Sequence, residues 1–389
     1  MTDRPLTERP PAAEPAARSA DWAEAAVREH AHVEMASREE QVLQRIERAR
    51  RARPRLREEK ITLAHGSGGK ATQTLIEAVF LDAFRNPLLE PLDDGARFTV
   101  DGASMVFTTD SYVVSPLFFP GGDIGDLAVN GTVNDLAVSG AEPLHLSAGF
   151  ILEEGFPVAD LRRVVASMKA AAEAAGVRIV TGDTKVVERG KADGCYINTA
   201  GIGVVRRTLG GDVRPGDAVL VSGPIGEHGV TIMLARGELD IESDLTSDTA
   251  PLNGLVTTLL EACGDGVRRM RDATRGGVAT ILNEVATDAG VAVVVDEDAF
   301  PVRPDVRGAC ELLGIDPLYV ACEGRMVAIV SGDVAEMALS ALRSHPLGDG
   351  AAIVGRIKDD PPGLVLLKTA FGGTRIVDLL VGDPLPRIC

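Results

Sequence analysis

Acidic residues close several predicted strands of this chain, and they are the side chains best placed to do chemistry. Asp93 and Asp94 stand in the turn LDDGA, Asp110 closes MVFTTD, Asp183 follows VRIVTG, and Asp272 lies in RDATRGG. Strand ends and adjacent loops are where mixed α/β proteins assemble their sites. Carboxylate oxygens converging there suit Mg²⁺ bound to substrate phosphates. A solvated turn explains any single aspartate more simply, so the prediction rests on the set.

One predicted helix adds further oxygen ligands to this set. In the segment DLAVNGTVNDLAV, Asp126, Asn130 and Asn134 stand at positions i, i+4 and i+8, and Asp135 lies beside them. Residues four apart share one face of a helix, so these side chains form a polar stripe. Together with the strand-end carboxylates, the stripe predicts a metal–nucleotide site.

A glycine-rich segment, HGSGGK at 65–70, precedes a predicted helix and places Lys70 in its first turn. Backbone N–H groups in such a loop can approach phosphate oxygens. The segment lacks the spacing of a P-loop, and glycine-rich helix entries are common. It therefore supports a phosphate site without defining one.

The thiol of Cys389 stands on the last residue of the tail GDPLPRIC, whose two prolines exclude a continuing helix or central strand. We expect this tail to be mobile and the thiol to lie outside any core. The seven residues after Gly382 would then reach roughly 20–25 Å as a carrier arm. A terminal cysteine is often incidental, because a thiol pKa near ~8.5 leaves little thiolate. The remaining cysteines are scattered without a C-x-x-C pair, which argues for core residues and against disulfides or zinc: Cys195, Cys263, Cys310 and Cys322.

Strands and helices mix throughout the chain, which indicates an α+β or mixed α/β architecture of two domains. The pattern predicts a helix over residues 158–175, ended by Gly176 and followed by a strand. We divide the chain into a Pro- and Ala-rich N-terminal extension (1–57), an N-terminal domain (58–208), a C-terminal α/β domain (209–381) and the tail (382–389).

Composition excludes several classes of partner. The chain has 389 residues, 45% of them hydrophobic, and a formal net charge of −17. Such a charge repels phosphate backbones and anionic membranes, so neither nucleic acid nor a membrane is an expected partner. The N-terminus lacks the apolar segment of a secretory signal, and no stretch approaches the roughly 18 apolar residues of a membrane span. We expect a cytoplasmic protein.

In combination these segments resemble the HypE family of hydrogenase-maturation proteins. That family belongs to an ATP-binding superfamily with aminoimidazole ribonucleotide synthetase, selenophosphate synthetase and thiamine-monophosphate kinase. The similarity covers essentially residues 61–389, and its motifs are HGSGGK, the run from TDSYVVSPLFF to LAVSGAEP, RIVTGDTKVVERGKADG, RDATRGGVAT, ACEG and the terminal PRIC. It implies a PurM-like fold, a homodimer built around a β-barrel shared by the N-terminal domains, and ATP in a cleft near that interface.

The resemblance implies an ATP-dependent carbamoyl dehydratase that converts an S-carboxamide on its own Cys389 into an S-cyanate, or thiocyanate. This cyano group would supply the iron centre of NiFe-hydrogenases. The implied partners are HypF, which carbamoylates the thiol, and a HypC–HypD complex, which receives the cyano group.

The family positions can be carried over residue by residue. The resemblance implies the following Mg²⁺–ATP ligands: Asp93 or Asp94, Asp110, Asp135 and Asp272. It places Lys70 near the phosphates, with three residues lining the cleft: Asn130, Asn134 and Asp183. Lys185 and Glu323 match positions beside the thiocarboxamide, with Glu323 as base and Lys185 as its helper. A structural ion pair between these two is the alternative.

Two other functions stay open. A selenophosphate synthetase would share the fold and the ATP site, but it usually carries a Cys or selenocysteine where this chain has Ser67. A passive carrier would only display a modified Cys389, although it would have no need of the carboxylates. The N-terminal extension departs from the family pattern, and we interpret it as partly disordered or helical, with partner binding as a hypothesis.

Overall fold

The computed structural model describes Leu56 and residues 58–237, 243–382 and 387–389. The N-terminal extension predicted over residues 1–57 lies almost wholly outside these described residues, as does the middle of the tail. Contacts join Arg55–Cys389 into one compact unit. Within the described residues, no helix combines the length and the apolar character needed to cross a bilayer.

The unit begins with a short helical region. A 3-10 turn, Leu63–Gly66, leads to helix α1 at Lys70–Leu75, which continues as a π-helical segment, Ile76–Leu81, and a last turn, Asp82–Phe84. The strands and helices that follow, in chain order, are β1 (Ala96–Val100), β2 (Ala103–Tyr112), β3 (Phe118–Phe119), β4 (Gly122–Asp123), α2 (Ile124–Val138), β5 (Ala141–Glu153), α3 (Val158–Ala175), β6 (Arg178–Val187) and β7 (Cys195–Val205).

Five of these strands form one sheet in the order β1-β2-β7-β5-β6. All neighbours are antiparallel except β5 and β6, which run parallel. Helix α2 packs on the sheet and is buried on nearly every side, because α3 and elements of the second half cover the rest of it. Apolar residues spread around the helix beside its polar stripe are the pattern expected for such a position.

The second half of the unit contains a seven-stranded sheet in the order β14-β13-β10-β12-β8-β11-β9. Its elements, in chain order, are β8 (Ala218–Val221), α4 (Glu227–Ala235), α5 (Asn253–Cys263), β9 (Val267–Asp272), α6 (Gly277–Ala289), β10 (Ala292–Asp296), α7 (Pro304–Leu313), β11 (Met326–Val330), α8 (Ala335–Ser344), β12 (Ala352–Lys358), β13 (Val365–Lys368) and β14 (Thr374–Val377).

Helices cover both faces of this sheet. Along β8, Val219 packs into a core shared with α6, whereas Leu220 packs into a second core shared with α5 and α8. Alternate residues of a strand point to opposite faces, so a central strand between two helical layers is apolar throughout. The fold is therefore a mixed α/β structure with one sheet in each half of the unit.

The predicted helix over residues 158–175 and its glycine stop are confirmed. Helix α3 spans Val158–Ala175, and Gly176 follows in the left-handed conformation with φ 72°. The predicted strand after it exists as β6, but it is an exposed edge strand. At the chain end, only Thr374–Val377 of the strand-like TRIVDLLV forms a strand.

Candidate active site

Three carboxylates from separate elements converge between the two sheets. Asp94 precedes β1, Asp135 lies on α2, and Asp272 ends β9. One oxygen of each lies within 4.8 Å of the other two. Burial raises the pKa of all three carboxyls, and repulsion from neighbouring carboxylates raises it further, to about 7 for Asp272. Such a cluster is costly to bury unless a cation joins it.

Neighbouring side chains fix the orientation of this cluster. Arg271 Nε lies 3.0 Å from Asp94 Oδ2 and holds that carboxylate in place. Thr108 Oγ1 lies 2.7 Å from Asp135 Oδ2 and 2.7 Å from the backbone oxygen of Asp94. The hydroxyl has one proton and can donate it to only one of these oxygens.

The donor chemistry fits Mg²⁺. All three ligands are carboxylate oxygens, the donor type that hard divalent cations prefer. Asp272 is buried, Asp94 and Asp135 are partly buried, and the three lie at close range. A bound cation would relieve their repulsion and return their pKa values toward the usual range. Asp94, Asp135 and Asp272 are therefore the residues that could hold the metal.

Two other predicted ligands lie outside this cluster. Asp93 pairs with Arg271 Nη1 at 3.3 Å and with Arg269 Nη2 at 3.5 Å, so its carboxylate is neutralised by arginines. Asp110 accepts a 3.1 Å hydrogen bond from the Tyr112 hydroxyl. Burial raises the pKa of Asp110 while Arg275 lowers it.

A cavity of about 600 Å³ opens beside the cluster. Its lining includes two carboxylates, Asp93 and Asp94, and the arginines Arg97, Arg269 and Arg271. Its volume lies in the range of about 300–1,000 Å³ that small-molecule sites occupy. The cavity is large enough for a nucleotide, and its arginines would favour phosphate groups.

The thiol of Cys389 lies in a second cluster close to the first. Arg275, Glu323 and Asp110 lie close enough to the sulfur to interact with it electrostatically. Burial, Glu323 and Asp110 raise the pKa of the thiol well above its usual range, although Arg275 lowers it. A small cavity of about 60 Å³, lined by Cys389, Arg275 and Gly276, adjoins the sulfur. That space equals roughly the share of two water molecules in the liquid.

Backbone hydrogen bonds hold Glu323 in place. Its N–H donates to Asp248 Oδ1 at 2.9 Å, and its carbonyl accepts from Asn134 Nδ2 at 3.1 Å. The side chain is only 2% exposed, and Oε1 is buried without a hydrogen-bond partner among the described residues. Burial raises the pKa of Glu323, and Asp272, Asp248 and Asp110 raise it further.

The expectation that Cys389 would lie outside any core is wrong. Cys389 is half-buried and packs against the core of the first half, and Ile388 is 3% exposed within that core. Backbone hydrogen bonds cause this, since Val113 N–H donates to the Cys389 backbone oxygen at 3.1 Å. The prolines exclude helix and central strand, but they leave the last residues free to pair with a loop. The other four cysteines are buried, as predicted.

Three predicted site residues, Lys70, Asp183 and Lys185, lie apart from both clusters. Lys70 pairs with Asp378 at 2.6 Å on the surface. Lys185 pairs with Asp183 at 2.5 Å on the exposed strand β6, and the predicted Lys185–Glu323 pair is absent from the contacts of the described residues.

The two predicted cleft asparagines differ from each other. Asn134 is fully buried and uses its amide to hold Ala250, Leu252 and Glu323, so it joins the two halves and does not line an open cleft. Asn130 donates to Thr249 Oγ1 at 3.1 Å, and its Oδ1 is buried without a partner in the described part of the chain.

Sequence reasoning missed two arginines. Arg271 flanks Asp272 and positions Asp94, whereas Arg275 lies between Cys389, Glu323 and Asp110. Both stand in the quoted motif RDATRGG, so the signal was present. Arg275 stands three residues after the predicted ligand Asp272, so it could have been assigned as a partner for the acidic groups.

Comparisons with known proteins agree with this geometry. The model of the AIR synthase related protein N-terminal domain matches residues 92–205, and that of the C-terminal domain matches residues 214–367. The first range contains the five-stranded sheet, and the second contains the seven-stranded sheet except Lys368 and β14; together they confirm the two-domain, PurM-like fold class. The three carboxylates of the first cluster come from both ranges.

Relatives and solved structures match nearly their full length. A carbamoyl dehydratase HypE from Rhodobacter capsulatus is 56% identical over 342 residues, which span 86% of this chain and 99% of the relative. A crystal structure of hydrogenase maturation protein HypE in complex with ATP is 48% identical, with a TM-score of 0.71 over 85% of this chain and 100% of that one. A HypE–HypF complex is 49% identical, with a TM-score of 0.74 over 79% and 99%.

Proposed function

The chain belongs to the HypE family of carbamoyl dehydratases, and we propose that its substrate is an S-carboxamide on its own Cys389. The dehydratase uses ATP to convert this carboxamide into a cyano group on sulfur. The product would supply the cyanide ligand of the iron centre in NiFe-hydrogenase maturation.

One observation carries this proposal: Oε1 of Glu323, which has no hydrogen-bond partner among the residues that the structure describes, lies beside the Cys389 thiol. A buried acceptor without a donor is costly, and a thiol offers only one weak donor. The NH₂ group of a carboxamide on that sulfur brings two N–H donors to the same place. The site is therefore complementary to the carbamoylated tail and poorly matched to the free thiol.

The proposed reaction has two steps, phosphorylation of the carboxamide oxygen and elimination of phosphate. The carboxamide oxygen attacks the γ-phosphorus of ATP and ADP leaves, which converts a poor leaving oxygen into a phosphate ester. The C–O bond then breaks to release phosphate, and the nitrogen loses both protons as the C≡N bond forms. We assign the removal of an amide proton to Glu323, because its raised pKa makes its carboxylate a stronger base.

The same reaction gives the other residues their proposed roles. Asp94, Asp135 and Asp272 would hold Mg²⁺, with Asp110 nearby. When bound, the metal would neutralise developing charge on the phosphates. Arg275 would orient the carboxamide and balance the charge of Glu323. Lys185 stays a proposed helper of Glu323, although in this structure it pairs with Asp183 on the exposed strand β6.

The nucleotide is proposed to occupy the cavity of about 600 Å³ beside Asp94. The presence of ATP in a 48% identical structure supports this choice of nucleotide. The roles first proposed for Lys70 near the phosphates, and for Asn130 and Asp183 in lining the cleft, stay proposals.

Partners follow from the family and from the surface. HypF is the proposed carbamoyl donor, supported by the HypE–HypF complex, and a HypC–HypD complex is the proposed acceptor. A homodimer is proposed because Phe107 and Ile151 are 46% and 44% exposed on the open face of the first sheet.

Free cysteines fit the reducing conditions of the cytoplasm, which is the proposed location. Partner binding by residues 1–57 also stays a proposal. If deleting these residues leaves the affinity for partners unchanged, that proposal is excluded.

Intact-mass analysis tests the proposal. The full chain is incubated with HypF, carbamoyl phosphate and Mg–ATP, and we expect a carbamoyl adduct on the terminal peptide that then loses one water. Cys389→Ala should form no adduct, while Cys263→Ala removes a different thiol as the matched control. An adduct that stays intact with ATP present would favour the passive carrier instead. No adduct in the wild type would reject Cys389 as the acceptor.

A further inference from the structure

We propose that Asp248 is a positioning residue for Glu323. Its carboxylate fixes the backbone of Glu323 at a bulge that precedes β11, and the bulge brings the Glu323 carboxyl beside Cys389. This inference rests on the function proposed above, because that function makes Glu323 the base.

The bulge takes Glu323 out of the seven-stranded sheet. Ala273, which follows β9, donates its N–H to the Arg325 carbonyl at 2.9 Å and accepts from the Cys322 N–H at 2.8 Å. In a regular antiparallel pair both bonds would join Ala273 to one residue. Glu323 and Gly324 are therefore inserted on one strand only. Bulges of this kind re-aim side chains next to active sites.

The inserted residues need partners outside the sheet, because buried backbone groups must be hydrogen-bonded. The Glu323 N–H donates to Asp248 Oδ1 at 2.9 Å, and the Glu323 carbonyl accepts from Asn134 Nδ2 at 3.1 Å. Gly324 packs closely on the same segment, since a Cβ built there would lie 1.8 Å from the Asp248 backbone oxygen. Asp248 and Asn134 thus hold both the donor and the acceptor of the Glu323 backbone.

Asp248 can fix the bulge because its own backbone is restrained. Its two neighbours in the chain are tied to the first half of the unit. The Ser247 N–H donates to the Pro120 carbonyl at 2.9 Å, and Thr249 Oγ1 accepts from Asn130 Nδ2 at 3.1 Å. The Asp248 side chain is fully buried between these contacts and the bulge. A small displacement of Asp248 would therefore move the backbone that carries the base.

The contact with Glu323 requires an acceptor oxygen and not a charge. Burial raises the pKa of Asp248, whereas Arg325 and the N–H groups of Glu323 and Gly324 lower it. Asp248 Oδ2 has no hydrogen-bond partner in the described part of the chain. Arg325 Nε lies 3.7 Å from it and donates instead to the Pro224 carbonyl at 3.0 Å. An amide side chain in place of Asp248 would therefore keep the bond that positions Glu323.

Single-turnover dehydration of the carbamoylated full chain, followed by the mass of the terminal peptide, tests this assignment. Asp248→Ser removes the acceptor, because a Ser hydroxyl is too short to reach the Glu323 N–H. It should slow dehydration roughly 10–100-fold, the effect of a misplacement of about 1 Å. Asp248→Asn keeps the acceptor and should stay within about threefold of the wild type.

Asp217→Ser is the matched control. Asp217 is also buried, accepts the Arg214 N–H at 2.9 Å and lies 3.8 Å from Arg268 Nε, but it stands before β8 and contacts no residue of the bulge among those described. Its replacement should lower the stability of the chain as that of Asp248 does, and it should leave the dehydration rate unchanged.

A double-mutant cycle separates positioning from a general structural effect. In the Glu323→Gln chain, Asp248→Ser should slow the remaining dehydration by less than about twofold, because its effect passes through the missing base. The KM for Mg–ATP should change little in either background. Equal slowing with and without the Glu323 carboxyl would mean that Asp248 only supports the fold, and would overturn the assignment.

Asp248→Glu covers the case in which Asp248→Ser does not fold. It keeps a carboxyl near Arg325 but moves the acceptor by one methylene, so dehydration should again fall about tenfold or more. A wild-type rate in the folded Ser or Glu variant would reject the positioning role alone. A wild-type chain that never dehydrates its carboxamide would reject the proposed function, and the role of Asp248 with it.

Discussion

Replacing Asp135 by Asn should stabilise the metal-free protein while removing its response to Mg–ATP. The oxygens of Asp94, Asp135 and Asp272 lie within 4.8 Å of one another. At an effective dielectric constant of about 20, two full charges at that distance repel by about 3.5 kcal/mol. Protonation and Arg271 already relieve part of this repulsion, so we expect a gain of about 1–3 kcal/mol in the free energy of unfolding. The Asn side-chain oxygen can still accept the Thr108 hydrogen bond.

Urea unfolding measures both effects. In EDTA the Asp135→Asn chain should unfold at higher urea than the wild type. A ligand at about 100 times its Kd stabilises a folded protein by about 2.7 kcal/mol, so saturating Mg–ATP should reverse the order of the two proteins. Asp298→Asn, which removes an exposed charge from a turn, is the matched control and should change neither value.

Two results would refute this reasoning. If Asp135→Asn is less stable than the wild type in EDTA, the three carboxylates are not in mutual repulsion and their contacts are structural. If the variant gains as much stability from Mg–ATP as the wild type does, Asp135 is not part of the metal site.

Two further predictions concern single side chains. Burial raises the pKa of Asp126 to about 7, so the folded state keeps a proton that the unfolded state releases, and wild-type stability falls as pH rises between about 4 and 7. Asp126→Asn should remove that fall, with a gain of about 1–3 kcal/mol near pH 8 and little near pH 4 by chemical unfolding; a gain that does not depend on pH would contradict the burial argument. Lys185→Met breaks a pair with Asp183 on exposed β6, so stability should change by less than about 1 kcal/mol and the dehydration rate by less than about tenfold. A loss as large as that of Glu323→Gln would place Lys185 in the site.

The carboxylate cluster could be predicted because its signals are local. Asp94 and Asp272 stand in or beside predicted strand ends and Asp135 stands on a periodic helix, so the local pattern makes each a candidate ligand. The resemblance to the HypE family placed the three in one metal site. Helix α3 was equally predictable, since its apolar period and Gly176 are both local features. Asp93 could not be separated from Asp94, because both pair with Arg271 on the distant strand β9 and only the fold shows that Asp94 lies with Asp135 and Asp272.

The second cluster depends on contacts that sequence spacing does not show. The tail docks through Val113 and His228, which lie far from it in the chain, and the pattern of the tail itself indicates only that it cannot be a helix. Asn134 looked like a ligand for the same reason. Its polar position on α2 was visible, but the loop at Ala250 that uses its amide was not.

The most direct test of the central claim follows the fate of the carbamoyl group in Glu323→Gln. The variant and the wild type are carbamoylated at Cys389 by HypF and then given Mg–ATP. The mass of the terminal peptide is measured over time by mass spectrometry. Gln is isosteric but cannot take a proton, so we predict that the adduct forms normally and loses water about 10²–10⁴ times more slowly than in the wild type. Loss of water at the wild-type rate would contradict the assignment of Glu323 as the base.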